Sequence, residues 1–417
     1  MTLKIRFTLV ALGVLIFVLI TPALVLYARG FKYDFSKMQV VKTGTLVVKS
    51  EPRDATISLG DRQIKNKTPL NIRFLLPGDY EVIISKDGYQ TWSKRLSIQP
   101  QFVTWANLDR EFITLFRSQP LNSQNYLSKK TSVSVSADEI GFVDSNFNVN
   151  FISVDSGDLT TLPGGVGIAG PFDFNAKFAW NNGVQIYNLI LDFITNKNQA
   201  LQQLQTAQTI ASNGQQVVFS FLDNLFALIN GVSLPIDPKV SAFTLDNDEV
   251  WYIQSNQIKR FNLVTQEKTT LTTIPEYKSA SLIRSRGQLY TILDQTLYKY
   301  NEKMEPIYSP VTFAAFDEVS DQLYFGNTNE ILLFNPTTHQ TQLILRSLTS
   351  LGHVVLNWET GYVFFANEGK IKTIELDGRD HRNVYTIADA GSDFVLDKRG
   401  KTLYVIRDDQ IKIYEIR

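Results

Sequence analysis

One phrase, repeated from Thr131 to the end of the chain, constrains the fold more than any other feature. Its last copy, Lys401 to Arg417 (KTLYVIRDDQIKIYEIR), places two stretches of alternating apolar and polar residues around a polar turn at Arg407 to Asp409. Alternation at period two, with β-branched and aromatic side chains, is what a strand half-buried in a sheet needs. Alone, the phrase is one hairpin. It recurs, however, with apolar centres at Phe142, Phe178, Val218, Trp251, Tyr290, Tyr324, Phe364 and Tyr404, roughly 33–40 residues apart.

A short strand precedes each copy, such as Ser241 to Leu245, and many copies are followed by a turn and a further strand, such as Lys268 to Thr272. Four strands per period predict a β-propeller over residues 131–417. No Trp-Asp pair and no repeated Gly-Gly occurs, so the pattern is that of a generic, divergent propeller. Eight leaves are expected, or seven if the second copy, with its irregular Asn/Gln-rich tail at Asn196 to Gln208, is not a full leaf. The last copy stops after its third strand, which leaves an open edge. The alternating segment Glu111 to Arg117 (EFITLFR) is expected to pair there and fasten the ring.

At the other end, residues 7–28 carry no charge. About 20 apolar residues in a helix cross a bilayer's hydrocarbon core, so this stretch is expected to be a single transmembrane anchor, with the lipid bilayer as its partner. Residues 1–6 would then be a short cytoplasmic tail, too short for a signalling output domain, and 29–43 a membrane-proximal linker. Lys4 and Arg6 precede the span, while Arg29, Lys32 and Lys37 follow it, so charge bias does not set the orientation. A signal peptide cleaved near Thr21-Pro22-Ala23 is the competing reading; the apolar run continues past that poor site to Tyr27, which favours the anchor.

Residues 44–98 have their own punctuation: six or so short strands separated by turn signals at Gly60-Asp61, Pro77-Gly78 and Asp87-Gly88. This describes a small antiparallel sandwich. Ser50 and Pro52 with Ala55, Thr68-Pro69, Pro77-Gly78 with Tyr80 and Val82, and Gly88-Tyr89 together resemble a PEGA domain, a small β-sandwich of bacterial and archaeal envelope and surface-layer proteins. Where that family has glycine before the alanine, this chain has Asp54, a residue that tolerates a left-handed backbone. Tyr27 to Phe35 resembles the stretch that joins an anchor to such a domain. The resemblance implies an extracytoplasmic, cell-envelope location. Residues 99–130 read as a connector that contains the closing strand 111–117.

Composition removes several chemistries. The chain has no cysteine, so disulfides, thiolate catalysis and Cys-ligated zinc are excluded. Lys+Arg and Asp+Glu both number 41, which leaves no basic field for nucleic acid. Gly165 to Gly170 spells G-x-G-x-x-G, but Pro171 follows at once where a phosphate-binding helix would start, and an inter-leaf loop is the better reading. Ser153 to Asp158 resembles the turn of some sialidase-type propellers. The same slot holds Val264-Thr265-Gln266, Pro336-Thr337-Thr338 and Asp377-Gly378-Arg379, and such varied turn formers indicate a structural hairpin.

His339 and His381 fall in those outer turns, whereas His353 begins an inner strand and is the one histidine placed to face a central channel. Neither H-E-x-x-H nor G-x-S-x-G nor a Walker A motif is present. Asp246/Asp248 and Asp408/Asp409 read as solvated turn carboxylates. The periodic aromatic positions read as core. Lys67, Lys86, Lys94 and Arg95 give the sandwich a basic cast; with Arg29, Lys32 and Lys37 nearby, weak attraction to anionic lipid or wall polymer is the alternative to a solvated face, which is the favoured reading. No catalytic, cofactor-binding or metal residue is assigned, and no binding residue is specified.

The expected protein is therefore all-β apart from one N-terminal transmembrane helix: anchor, PEGA-like sandwich, propeller. Its expected role is non-catalytic binding or scaffolding at the cell membrane, with envelope protein or polysaccharide as partner. The alternative is a propeller hydrolase or lyase acting on envelope polysaccharide, which needs acidic or histidine side chains converging in the channel.

Overall fold

The structure, a computed structural model, describes residues 3–35, 38–108, 110–127, 133–135, 139–144, 148–162, 177–179, 209–212, 216–229, 232–285, 287–317, 320–407 and 410–417. One helix, Leu3–Ala28, opens the chain, and every other regular element among the described residues is a β-strand. Within that helix, Val10–Ala28 is long and apolar enough to cross a membrane, and none of it is buried inside the protein. Gly30 ends it: at φ +81° it occupies the left-handed region, and its N–H bonds back to the Tyr27 carbonyl at 3.0 Å. Two compact units follow from the packing. The first comprises Met1–Gln119, Glu375–Tyr385 and Arg417; the second comprises Pro120–Ile374 and Thr386–Ile416.

In the first unit, a hairpin of Phe31–Asp34 and Gln39–Lys42 follows the helix. Two sheets then face each other. One has the order Val103–Trp105, Gly44–Val48, Leu70–Leu75, and the other Arg62–Gln63, Thr56–Leu59, Gly78–Ser85, Trp92–Ile98. Leu46, Val48, Ile57, Val82, Ile84 and Trp92 form the fully buried core between them. Asp54 stands at φ 63°, the left-handed conformation anticipated for the residue in the family's glycine position. Thr68 holds that turn, its hydroxyl accepting from the Ala55 N–H at 3.0 Å and sharing a 2.6 Å bond with Ser50.

The sandwich does not stop at residue 98. Val103–Trp105 adds a strand parallel to Gly44–Val48. Ile113–Thr114, inside the segment expected to close the repeat, instead pairs in parallel with Ser50–Glu51. The reason is burial: Ile113, Leu115 and Phe116 are almost wholly removed from water in this unit. Apolar side chains of that kind are wasted at a solvated sheet edge.

The second unit holds seven sheets among the described residues, strung along the chain in order. Typical is Val240–Asp246, Glu249–Gln254, Gln257–Asn262, Lys268–Thr273, antiparallel throughout. Tight two-residue turns connect second and third strands. At Leu222-Asp223 and Asp294-Gln295 both central residues have positive φ, the conformation that matches a hairpin's right-handed twist.

First strands of successive sheets adjoin, as do Val240–Asp246, Ala280–Ser285 and Phe313–Asp317 in turn. The periodic centres Phe142, Val218, Trp251, Tyr290, Phe364 and Tyr404 are buried, whereas Tyr324 is half-buried. The second copy lies mostly outside the described residues; its centre, Lys177–Ala179, runs parallel to Thr209–Ser212 at the start of the next sheet.

The last sheet takes its fourth strand from Leu121–Leu127, which pairs antiparallel with Gln410–Glu415. This is the edge that 111–117 was expected to fill. The final sheet also packs on the first: Ile140, Phe142, Ile152 and Val154 share one buried cluster with Val395, Tyr404, Ile411 and Ile413. The Tyr404 hydroxyl donates to the Val154 carbonyl at 3.1 Å.

Candidate functional site

The most concentrated polar chemistry lies in the first unit, around Lys94. In Trp92–Ile98, side chains 92, 94, 96 and 98 point inward and are buried, so Lys94 stands on the apolar face of its strand, fully shielded from water. It is not on a solvated basic face, as its sequence context suggested. A buried ammonium requires partners, and the segment Glu375–Tyr385 supplies them. Lys94 Nζ lies 3.0 Å from Glu375 Oε2 and 3.6 Å from Asp377 Oδ2. It also donates to the carbonyls of Asp377 and His381, each at 2.8 Å.

Glu375 is satisfied in turn. Trp92 Nε1 donates to one oxygen at 2.9 Å, and Asn383 Nδ2 donates to the other at 2.8 Å. Arg379 grips Asp377 through Nε and Nη2 and reaches the carbonyls of Trp105 and Ala106, both at 3.0 Å. Arg382 donates to the carbonyls of Glu375 and Leu376. Burial pushes the Asp377 carboxyl up, but hydrogen bonds from Arg379 and the Lys94 charge outweigh it and hold the pKa below the ordinary value. Burial lowers Arg382, against the raising influence of Asp377 and Glu375. The cluster is closed and internally satisfied. It orders a segment and offers no open coordination or substrate position.

The histidines separate into different settings. His339 sits in the turn after Glu330–Asn335, its N–H closing on the Asn335 carbonyl at 2.9 Å and its ring edge-on to Phe334 at 6.2 Å. His381 Nδ1 meets Asp380 Oδ2 at 2.8 Å, and that carboxylate also accepts the Arg95 N–H. His353, on Leu351–Asn357, is half-exposed and lies 2.9 Å from Asp393 Oδ1 on the first strand of the next sheet. Arg284 and Asp246 make the same kind of bridge between first strands of successive sheets, at 3.1 Å. The His353–Asp393 pair therefore reads as one member of a repeated inter-sheet contact. Among the described residues no three His, Asp or Glu side chains gather at metal-binding distance.

The outer hairpin slot behaves as a structural turn. Asn262 Oδ1 accepts the N–H groups of Val264 and Thr265, and Asn335 Oδ1 accepts those of Thr337 and Thr338. At Ser153 to Asp158 the Gly157 N–H closes onto the Ser153 carbonyl, while Asp155 binds Lys398 at 3.1 Å. Asp408/Asp409 and the glycine run Gly165 to Gly170 lie outside the described residues. A pocket of about 160 Å³ opens beside Lys299, Glu305, Phe334 and His339. Small-molecule sites run to roughly 300 Å³ and more, so it is small for an organic ligand.

Residues 43–111 match the PEGA domain family model. That range takes in the strand Val103–Trp105, which the sequence reading left in the connector. Comparison with curated proteins finds no match. Among solved structures, similarity extends to a chain of the mitotic checkpoint complex (TM-score 0.44, 11% identity, covering 74% of this chain and 94% of that one). It also extends to the computationally designed Ika8 protein (TM-score 0.38, 11% identity, 72% and 100%). A third is PorZ, a surface component of the type-IX secretion system of Porphyromonas gingivalis (TM-score 0.37, 12% identity, 67% and 36%).

Proposed function

We propose that this is a single-pass membrane protein of the cell envelope, whose repeated sheets, seven of them among the described residues, close into a β-propeller that serves as a non-catalytic binding or scaffolding platform. Its partners would be wall, surface-layer or neighbouring membrane proteins. One observation carries the reading: a helix of membrane-crossing length is joined, through one short hairpin, to a sandwich that matches the PEGA family. Ring closure is supported by the buried cluster common to first and last sheets and by the Leu121–Leu127 strand at the final edge. Radial repetition around a closed ring leaves only short, protected strand edges. A platform role suits the chemistry, since the dense polar cluster around Lys94 is internally satisfied.

The test is protease added to intact cells that produce the full chain with a C-terminal tag. The reading requires loss of the tag before lysis, with a membrane-bound N-terminal fragment retained. Protection until the cells are broken would remove the envelope assignment, and recovery of the tagged chain without any membrane association would remove the anchor.

A further inference from the structure

Beyond the helix itself, the first unit carries a second apolar surface, and it begins where the helix ends. Phe35 and Met38 at the tip of the hairpin are 81% and 73% exposed, and Val40 on its return strand is half-exposed. Phe102 and Val103 are similarly uncovered. These residues are stitched to the helix terminus. Gly30 O accepts from the Thr43 N–H at 2.9 Å and from its hydroxyl at 2.7 Å. Thr43 O accepts from Gln101 N–H at 2.9 Å, and Phe102 O accepts from Thr45 N–H at 3.1 Å. Tyr27, in the last turn of the helix, stacks on Phe74 of the sandwich at 4.7 Å. The hairpin and the loop at 101–103 therefore ride on the end of the helix.

Charge on this surface has one sign. Arg29, Lys32 and Lys42 are exposed, whereas Asp34, the acidic residue of the hairpin, is buried. Lys42 Nζ lies over the Phe31 ring at 5.7 Å and bonds the Gln101 side chain at 3.0 Å. Aromatic rings with flanking cations are the composition that settles at the headgroup level of a bilayer. Exposed apolar clusters on a soluble surface otherwise mark an interaction site.

We infer that the hairpin 31–42 and the loop at 101–103 lie in the interfacial layer of an anionic phospholipid bilayer, with Phe35, Met38 and Phe102 inserted below the headgroups. This rests on reading Val10–Ala28 as a membrane span, and the two statements separate experimentally. The chain lacks cysteine, so a single spin label can be placed at Leu12→Cys, Phe35→Cys or Phe102→Cys in the full chain. Each variant is reconstituted in phosphatidylcholine–phosphatidylglycerol liposomes, and accessibility to oxygen is compared with accessibility to a water-soluble nickel complex. The inference requires the labels at 35 and 102 to be shielded severalfold from nickel relative to oxygen, at a shallower depth than the label at 12. A lipid-buried label at 12 with water-exposed labels at 35 and 102 overturns the inference and leaves the span intact. A water-exposed label at 12 ends the span reading, and the inference with it.

Discussion

Two hairpins occupy the same position in the repeated sheets and differ in what they carry. Asn262 to Glu267 is a bare turn: its asparagine caps two backbone N–H groups, and Val264 at the tip is 67% exposed. Glu375 to Asn383 keeps the cap, with Asp377 Oδ1 accepting the Arg379 N–H at 2.9 Å, but adds charged groups whose partners are Lys94, Arg95 and the carbonyls of Trp105 and Ala106. By packing it belongs to the first unit. The repeat therefore specifies a turn, and one copy of that turn has been given a second task, ordering itself around a buried lysine.

The largest way to break the contrast is to remove that lysine. Lys94→Met keeps much of the side-chain volume but leaves Glu375 and Asp377 without their cation. Breaking a buried pair by deleting one partner costs about 3–5 kcal/mol. Chemical denaturation of the full chain should show the loss in the transition of the first unit. A change below about 1 kcal/mol, the range of exposed pairs, would mean the cluster is solvated in practice. Arg379→Ala comes next. It strands the part-buried Ala106 carbonyl and one arm of Asp377, at about 1–3 kcal/mol by the cost of unpaired buried polar groups.

Asn262→Ala and Asn335→Ala should each cost about 1 kcal/mol, the net worth of a hydrogen-bonded cap, and should match each other. Their equality is the informative part. If one of the two costs as much as Lys94→Met, the slot is not a plain turn there either.

These contrasts also mark what could be read from the chain. The hairpins of the repeat were legible because their strands either alternate between core and surface, as in Gln410–Glu415, or form short apolar runs bounded by polar turns, as in Leu403 to Ile406, all four of which are buried. The same logic misplaced the closing strand. EFITLFR is the more apolar segment because Ile113, Leu115 and Phe116 are buried in the first unit, not because it fills a half-solvated edge. The true edge strand, LNSQNYL, is held through backbone pairing to Gln410–Glu415 and largely exposes its polar side chains, so periodicity gave it no signal.

Lys94 was missed for the opposite reason. Its position was visible, since W-S-K-R-L-S-I places a lysine in phase with Trp92, Leu96 and Ile98. Its partners lie some 280 residues downstream, where no local pattern links them. A lysine on the apolar face of a strand was the available clue, and it called for a buried counter-ion.

The smallest effect separates the two hairpins by pH. Asparagine and aspartate make the same cap, but only aspartate titrates. Asp377 is held below its ordinary value of 3.8, so the folded state binds the proton less readily than the unfolded chain. Its contribution to stability is thus fully present above pH 3.8 and is lost as pH falls through the lower folded pKa. Asp380 is depressed in the same direction by the Arg95 N–H and His381, and it adds to the same window. Asp377 is partly open to water, which screens the effect and keeps it modest. Urea midpoints of the first-unit transition should fall as the pH drops below about 4 in the parent chain, and Asp377→Asn should flatten part of that slope. Asn262→Asp, which places a titratable cap in the bare turn without a lysine or arginine partner like those of Asp377, should leave the slope of the second-unit transition nearly unchanged. A steep acid slope in that variant would show that the cap alone depresses the carboxylate, and that the cations around Asp377 are not what sets its pKa.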